Sequence, residues 1–164
     1  SPARIEFGGD LVLGSFSTLE IEIGGTQPGT EHDQLVVAGD VSLGGRLVVK
    51  LIDGFVPSAG QSFPVIRYAS HSGWFSEIDV PAVSGLCIEV FEGLTGITVV
   101  ANASPGDVNG DCNVDLSDFL SLSECLNGPN AGPNAPGCGI FDFGADDDVD
   151  LRDVAFFHTA FTGH

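Results

Sequence analysis

The chain has 164 residues, with 23 acids against five bases and a formal net charge of −18 at pH 7. That balance offers no basic patch to nucleic-acid phosphates and is repelled by an anionic membrane surface, so neither is an expected partner. No apolar run is long enough to insert across a bilayer, and the composition fits a cation-binding or a soluble secreted protein.

The chain opens at Ser1 with neither Met nor a signal-like segment, which predicts a processed form or a fragment. Residues 1–101 are predicted to form an all-β domain. The strand candidates begin at Leu11 (LVL), Thr18 (TLEIEI), Gln34 (QLVVAG), Arg46 (RLVVKLI), Phe63 (FPVIRYA), Leu86 (LCIEVFE) and Gly96 (GITVVA). They are short and rich in β-branched residues. In Leu19-Glu20-Ile21-Glu22-Ile23 apolar and polar residues alternate with the period of a half-buried strand. Gly8-Gly9, Gly24-Gly25, Gly39-Asp40 and Gly44-Gly45 punctuate them as turns. Such a domain must hide its strand edges by sheet packing, by coiling into a solenoid or by pairing with a neighbour.

From about residue 10 to 76 the phrases STLEIEIGG, DQLVVAGD, SLGGRLVVKL and DGF follow one another. This stretch resembles the C-terminal part of autotransporter-type bacterial surface proteins. The resemblance implies short stacked β-solenoid coils, a hairpin at 86–101 capping them, and extracellular exposure. A β-sandwich is the alternative for so small a unit.

Residues 102–106 (NASPG) are predicted to be a linker, because Pro105-Gly106 ends any preceding strand. Asn102-Ala103-Ser104 matches a glycosylation sequon formally, and the proline after it disfavours use. Residues 107–164 then change character, holding 11 acids against one base, Arg152. The frame Val114-Asp115-Leu116-Ser117-Asp118 recurs 35 residues later as Val149-Asp150-Leu151-Arg152-Asp153. Each copy is a loop followed by a short amphipathic helix: Phe119, Leu122 and Leu126 in the first, Val154, Phe157 and Phe161 in the second. The stretch Asn127–Gly137 joins the halves.

In an EF-hand-type loop, oxygen ligands come from positions 1, 3, 5, 7, 9 and 12. The first loop places Asp107, Asn109, Asp111, Asn113, Asp115 and Asp118 there, Asn113 through its main-chain carbonyl. The second places Asp142, Asp146, Asp148, Asp150 and Asp153, with Gly144 offering no side chain at position 3. Hard oxygen donors in a flexible loop favour Ca²⁺ over Mg²⁺, so two Ca²⁺ sites are expected, the second weaker or more hydrated. Position 6 ordinarily carries glycine and is Cys112 and Asp147 here. Val114 and Val149, at position 8, are placed to pair as a small bridge between the loops.

The phrases GDVNGDCNVDLSDF and DFGADDDVDLRDV, over about residues 105–163, resemble a type I dockerin. That resemblance implies two EF-hand-type loop-helix repeats without entering helices, and a secreted, Ca²⁺-dependent protein–protein interaction module. It also implies partner-facing residues at loop positions 10 and 11, which are Leu116, Ser117, Leu151 and Arg152. These differ from the Ser-Thr-like pair of cellulosomal dockerins, which puts a cellulosomal partner in doubt.

A Cys125–Cys138 bond would staple the inter-repeat loop, and Cys87 and Cys112 would then pair or stay free; four cysteines allow three pairings. The cysteines are consistent with an oxidising, extracellular or cell-surface location. His32, His71, His158 and His164 are scattered, and no hydrolase, P-loop or zincin motif occurs, so no catalytic residue is expected. Glu20 and Glu22 are expected on an exposed strand face, and Trp74-Phe75 in packing. Three functions fit: a non-catalytic structural or adhesion protein whose tail binds a protein partner, a self-assembling subunit joined to copies of itself through β-edges, and a carbohydrate-binding β domain carrying a dockerin.

Overall fold

The computed structural model describes residues 1–162, which are mainly β with two C-terminal helices. They form two compact units. The first holds Ser1–Pro81 and Ile88–Asn102; the second holds Ala82–Cys87 and the chain from Ala103 onward. Ala82–Cys87, expected within the all-β domain, thus groups with the helical unit, and there is no separate linker at 102–106.

In the first unit nine strands arrive in threes: β1 (Arg4–Phe7), β2 (Leu11–Val12) and β3 (Thr18–Ile23); β4 (Gln34–Val37), β5 (Asp40–Leu43) and β6 (Arg46–Leu51); β7 (Ser62–Arg67), β8 (Ser70–Gly73) and β9 (Glu77–Asp79). Each pairs in parallel with the strand three places on, giving the orders β1-β4-β7, β2-β5-β8 and β3-β6-β9. Partners in register across adjacent windings lie 28 to 31 positions apart, as in Leu19↔Leu47, Val41↔His71 and Leu47↔Ile78. This parallel register is that of the coiled alternative rather than of an antiparallel sandwich, and the sheets do not close into a barrel. A hairpin, β10 (Leu86–Gly93) and β11 (Gly96–Ala103), extends the first sheet, with β11 antiparallel to β7.

Alternation along the strands explains the core. Leu19, Ile21 and Ile23 of β3 stand in register with Leu47, Val49 and Leu51 of β6, and Ile21, Ile23, Leu47 and Val49 are buried. Leu35, Val41, Leu43, Phe63 and Val65 fill the same interior. Each such side chain contributes about 1.5–3 kcal/mol of burial. The corner between β5 and β6 is tight. Gly45 takes φ +72°, and a Cβ there would meet the Gly14 carbonyl oxygen at 2.7 Å.

Outward residues pair across windings. Lys50 reaches Glu20 at 2.6 Å, and Arg46 contacts Glu77 and Asp79. Glu22 takes the N-terminal ammonium of Ser1 at 2.6 Å, so the two glutamates of β3 each hold a cation. Asp33 accepts the amides of Ala3 and Glu22, tying the first winding to the second. Phe75 is buried, and Trp74 packs edge-on against it with ring centroids 5.7 Å apart.

The second unit contains α1 (Leu116–Cys125), a 3-10 turn at Cys138–Phe141 and α2 (Leu151–Ala160). Its core is Val114, Leu122, Phe141, Val149 and Phe157. One valine precedes each helix, and one apolar residue of each helix, Leu122 or Phe157, is fully buried in this core. The other expected stripe residues lie nearer the surface: Phe119, Leu126 and Phe161 are each more than a third exposed.

The two kinds of contact in the coil differ in energy, and urea denaturation distinguishes them. Leu47→Ala, emptying a fully buried site, is expected to cost about 2–5 kcal/mol. Lys50→Ala, breaking an exposed ion pair, is expected to cost less than about 1 kcal/mol. Equal losses would show that the stacked apolar column is not what holds the coil.

Candidate metal centre

Each helix of the second unit begins in the same way. Asp115 is the N-cap of α1 and accepts the Ser117 amide, while Asp118 accepts the Asp115 amide in return. Asp150 and Asp153 do the same at α2 with the amides of Arg152 and Asp150. These reciprocal capping boxes satisfy donors that the helix start leaves orphaned. Asp118 and Asp153 are each 1% exposed. Their other oxygens turn back to the loop: Asp118 Oδ1 accepts Val108 at 2.8 Å, and Asp153 Oδ1 accepts Gly144 at 3.0 Å.

The first loop position repeats the theme. Asp107 is fully buried and accepts the amides of Gly110, Asp111 and Cys112. Asp142 accepts those of Asp146 and Asp147. The loops turn sharply by placing matching residues in the left-handed region: Gly110 (φ 70°) and Cys112 (φ 69°) in one, Ala145 (φ 52°) and Asp147 (φ 64°) in the other. Position 6 therefore takes the conformation that usually calls for glycine without having it, a strain of about 1–3 kcal/mol per site. Cys112 is also held by a disulfide to Cys87.

The expected Val114–Val149 bridge does not form between the two valines. Val149 donates to the Asn127 side-chain oxygen and accepts the Asn127 amide; Val114 donates to the Thr162 hydroxyl and accepts the Thr162 amide. Asn127 and Thr162 are the residues just after the C-caps of α1 and α2. Each loop is thus bonded to the end of the other repeat's helix, which leaves no valine peptide edge free for a bridge.

The loops differ in what their acids do. In the first, Asn109 and Asn113 both bond to Asp111, and all three are exposed. In the second, ligand oxygens of Asp146, Asp148 and Asp153 lie within 4.8 Å of one another, a group that can hold a metal ion. Asp142 and Asp150 lie outside that group. Burial, then the carboxylates of Asp148, Asp142 and Asp153, raise the Asp146 pKa above its ordinary value, against the opposing pull of Arg152. An acid raised on folding costs stability at neutral pH, and this cost is relieved as pH falls through its folded pKa. A cation at this place would oppose the same repulsion without acid.

Two further residues were not singled out in the sequence. The tandem Gly128-Pro129-Asn130-Ala131 and Gly132-Pro133-Asn134-Ala135 brings two asparagines to the second loop. The Asn130 amide donates to Asp148 at 2.5 Å, and the Asn134 side chain donates to Asp142 at 3.1 Å. The repeated tetrapeptide was the available signal. Leu116, Ser117, Leu151 and Arg152 are exposed, with Arg152 3.4 Å from Asp146. An apolar hollow is lined by Leu116, Phe119, Val154, Phe157, His158 and Phe161.

Two disulfides lie within this unit: Cys125–Cys138, which staples the inter-repeat loop as expected, and Cys87–Cys112, whose pairing the sequence left open. They fit an oxidising environment; no helix among the described residues is long and apolar enough to cross a membrane. Replacing Cys125 and Cys138 together by serine should cost about 2–4 kcal/mol in chemical denaturation, because the 13-residue span they close then regains its freedom in the unfolded chain. An unchanged midpoint would assign the bond no part in stability. No family model, curated protein or solved structure matches the chain.

Proposed function

We propose that the chain is a secreted, non-catalytic structural or adhesion protein whose second unit is a dockerin-like module, stabilised by two Ca²⁺ ions and used for protein–protein attachment. The single observation that carries this reading is the duplicated loop: matching acids at positions 1, 9 and 12 make matching hydrogen bonds in both copies, 35 residues apart. Such a frame carries oxygen-bearing residues at alternate positions of a loop whose first and last acids already accept its backbone amides. The first loop offers Asp107, Asn109, Asp111, Asn113, Asp115 and Asp118; the second offers Asp142, Asp146, Asp148, Asp150 and Asp153. All donors are oxygen, which suits a hard cation, and loops of this kind tolerate the irregular shell of Ca²⁺ better than the strict octahedron of Mg²⁺. Bound ions would supply positive charge to a region whose 11 acids face one arginine.

The attachment surface is the exposed start of the helices. Leu116 and Leu151 are 70% and 80% exposed and stand at equivalent places in the two repeats. Leu116 lines the apolar hollow together with Phe119, Phe157 and Phe161. A cluster of exposed apolar residues at a hollow is a usual mark of a protein contact.

Titrating Ca²⁺ into chelator-stripped protein in a calorimeter is expected to give two bound ions per chain. At 100 times Kd, each ion should stabilise the fold by about 2.7 kcal/mol. The melting temperature should rise in Ca²⁺ and rise less in the same concentration of Mg²⁺. No heat of binding, together with identical melting in Ca²⁺ and in chelator, would falsify the reading.

A further inference from the structure

We infer that the second loop is a cation site of altered design, in which the Asp148 side chain takes over the coordination that Gly144 lacks and the inter-repeat segment holds that side chain in place. The inference rests on the Ca²⁺ reading and concerns how one of its two sites is built.

The two loops can be compared position by position. At position 3 the first loop has Asn109, with an amide oxygen, and the second has Gly144, with none. At position 7 an EF-hand-type loop uses its main-chain carbonyl, so the side chain there is free to leave the site. Asn113 does so: it is exposed, and its amide group bonds to the Asp111 carbonyl. Asp148, at the same place in the second loop, is only 4% exposed. One of its oxygens accepts the Asn130 main-chain amide, and the other, Oδ1, is buried with no hydrogen-bond partner among the described residues. A carboxylate oxygen left that way costs several kcal/mol unless positive charge meets it. Arg152, the only arginine or lysine of this unit, turns instead to Asp146 at 3.4 Å. Asp148 nevertheless contributes an oxygen to the group it forms with Asp146 and Asp153, within 4.8 Å of one another. A buried, unsatisfied acid oxygen and a convergent acid group therefore meet in the loop that is one ligand short.

The space near Gly144 fits the same account. A Cβ there would stand 3.0 Å from Asp146 Oδ1, the end of a flexible side chain that can give way, and Gly144 has no positive φ that would demand glycine. Aspartate can thus be restored at position 3.

Three full-length proteins test the idea by Ca²⁺ calorimetry: the wild type, Asp148→Asn, and Asp148→Asn combined with Gly144→Asp. The wild type should bind two ions. Asp148→Asn should keep the first site and weaken the second by about 10-fold or more, since affinity follows ligand charge. The double variant should regain most of that loss. In chelator, Asp148→Asn should keep its helical circular dichroism and melt no lower than wild type, because it removes a buried unpaired charge. Two unchanged affinities in Asp148→Asn would overturn the inference while leaving the Ca²⁺ reading standing. Loss of fold in chelator would make Asp148 a structural acceptor for Asn130 and overturn it as well. A wild type that binds no ion would remove both.

Discussion

The helical unit depends on four carboxylates that accept main-chain amides: Asp107 and Asp118 in one repeat, Asp142 and Asp153 in the other. A loop of alternating polar residues has no reason to hold a closed shape by itself. Here its first residue binds amides three to five places on, and its last binds amides at both the loop start and the helix start. Loop closure and helix initiation therefore share one side chain, Asp118 or Asp153. The apolar contribution is small by comparison, a cluster of five buried residues with Leu122 and Phe157 at its centre. A unit with so limited a core needs covalent or ionic reinforcement, and it has two disulfides and a group of acids able to take a cation.

The coiled unit is organised by the opposite means. Its windings are held by repetition of apolar residues at the same register, Leu19 on Leu47 and Ile21 on Val49, with Leu47 fully buried. Charges decorate its outside and are paired across windings, where solvent reduces their worth. Acids are abundant in both units, but their role differs with burial. In the coil, Glu20 and Glu77 face partners at the surface. In the loops, Asp107, Asp118 and Asp153 are buried and accept backbone amides.

Strands and loops were legible in the sequence to different depths. Period-two alternation located β3 and β6, and the glycine pairs located the turns, because inward and outward positions alternate strictly along a strand. Alternation alone carries no information on which strand lies beside which, so the parallel order emerged only in three dimensions. The 35-residue duplication fixed the helix starts, since an aspartate N-cap and an aspartate three residues later have a local cause. Non-local bonds were not legible: the valines at position 8 had the right chemistry to pair with each other, yet bond to Asn127 and Thr162 instead. Asn130 and Asn134 were passed over because glycine–proline segments carry the composition of a plain connector, and a contact made by a main-chain amide leaves no mark on residue type.

Those reciprocal valine bonds have a consequence for the unit as a whole. Val114 cannot hold its place unless the chain after α2 is ordered, and Val149 cannot unless the chain after α1 is. Both valines also lie in the shared core, beside Leu122 and Phe157. Ordering one loop therefore orders the end of the other helix and the apolar cluster between them. A single repeat would leave its valine peptide groups unpaired and half of that cluster exposed, at a cost set by buried, unsatisfied donors and acceptors. The two copies thus share one apolar cluster and a reciprocal set of valine hydrogen bonds, so that each repeat supplies partners the other needs.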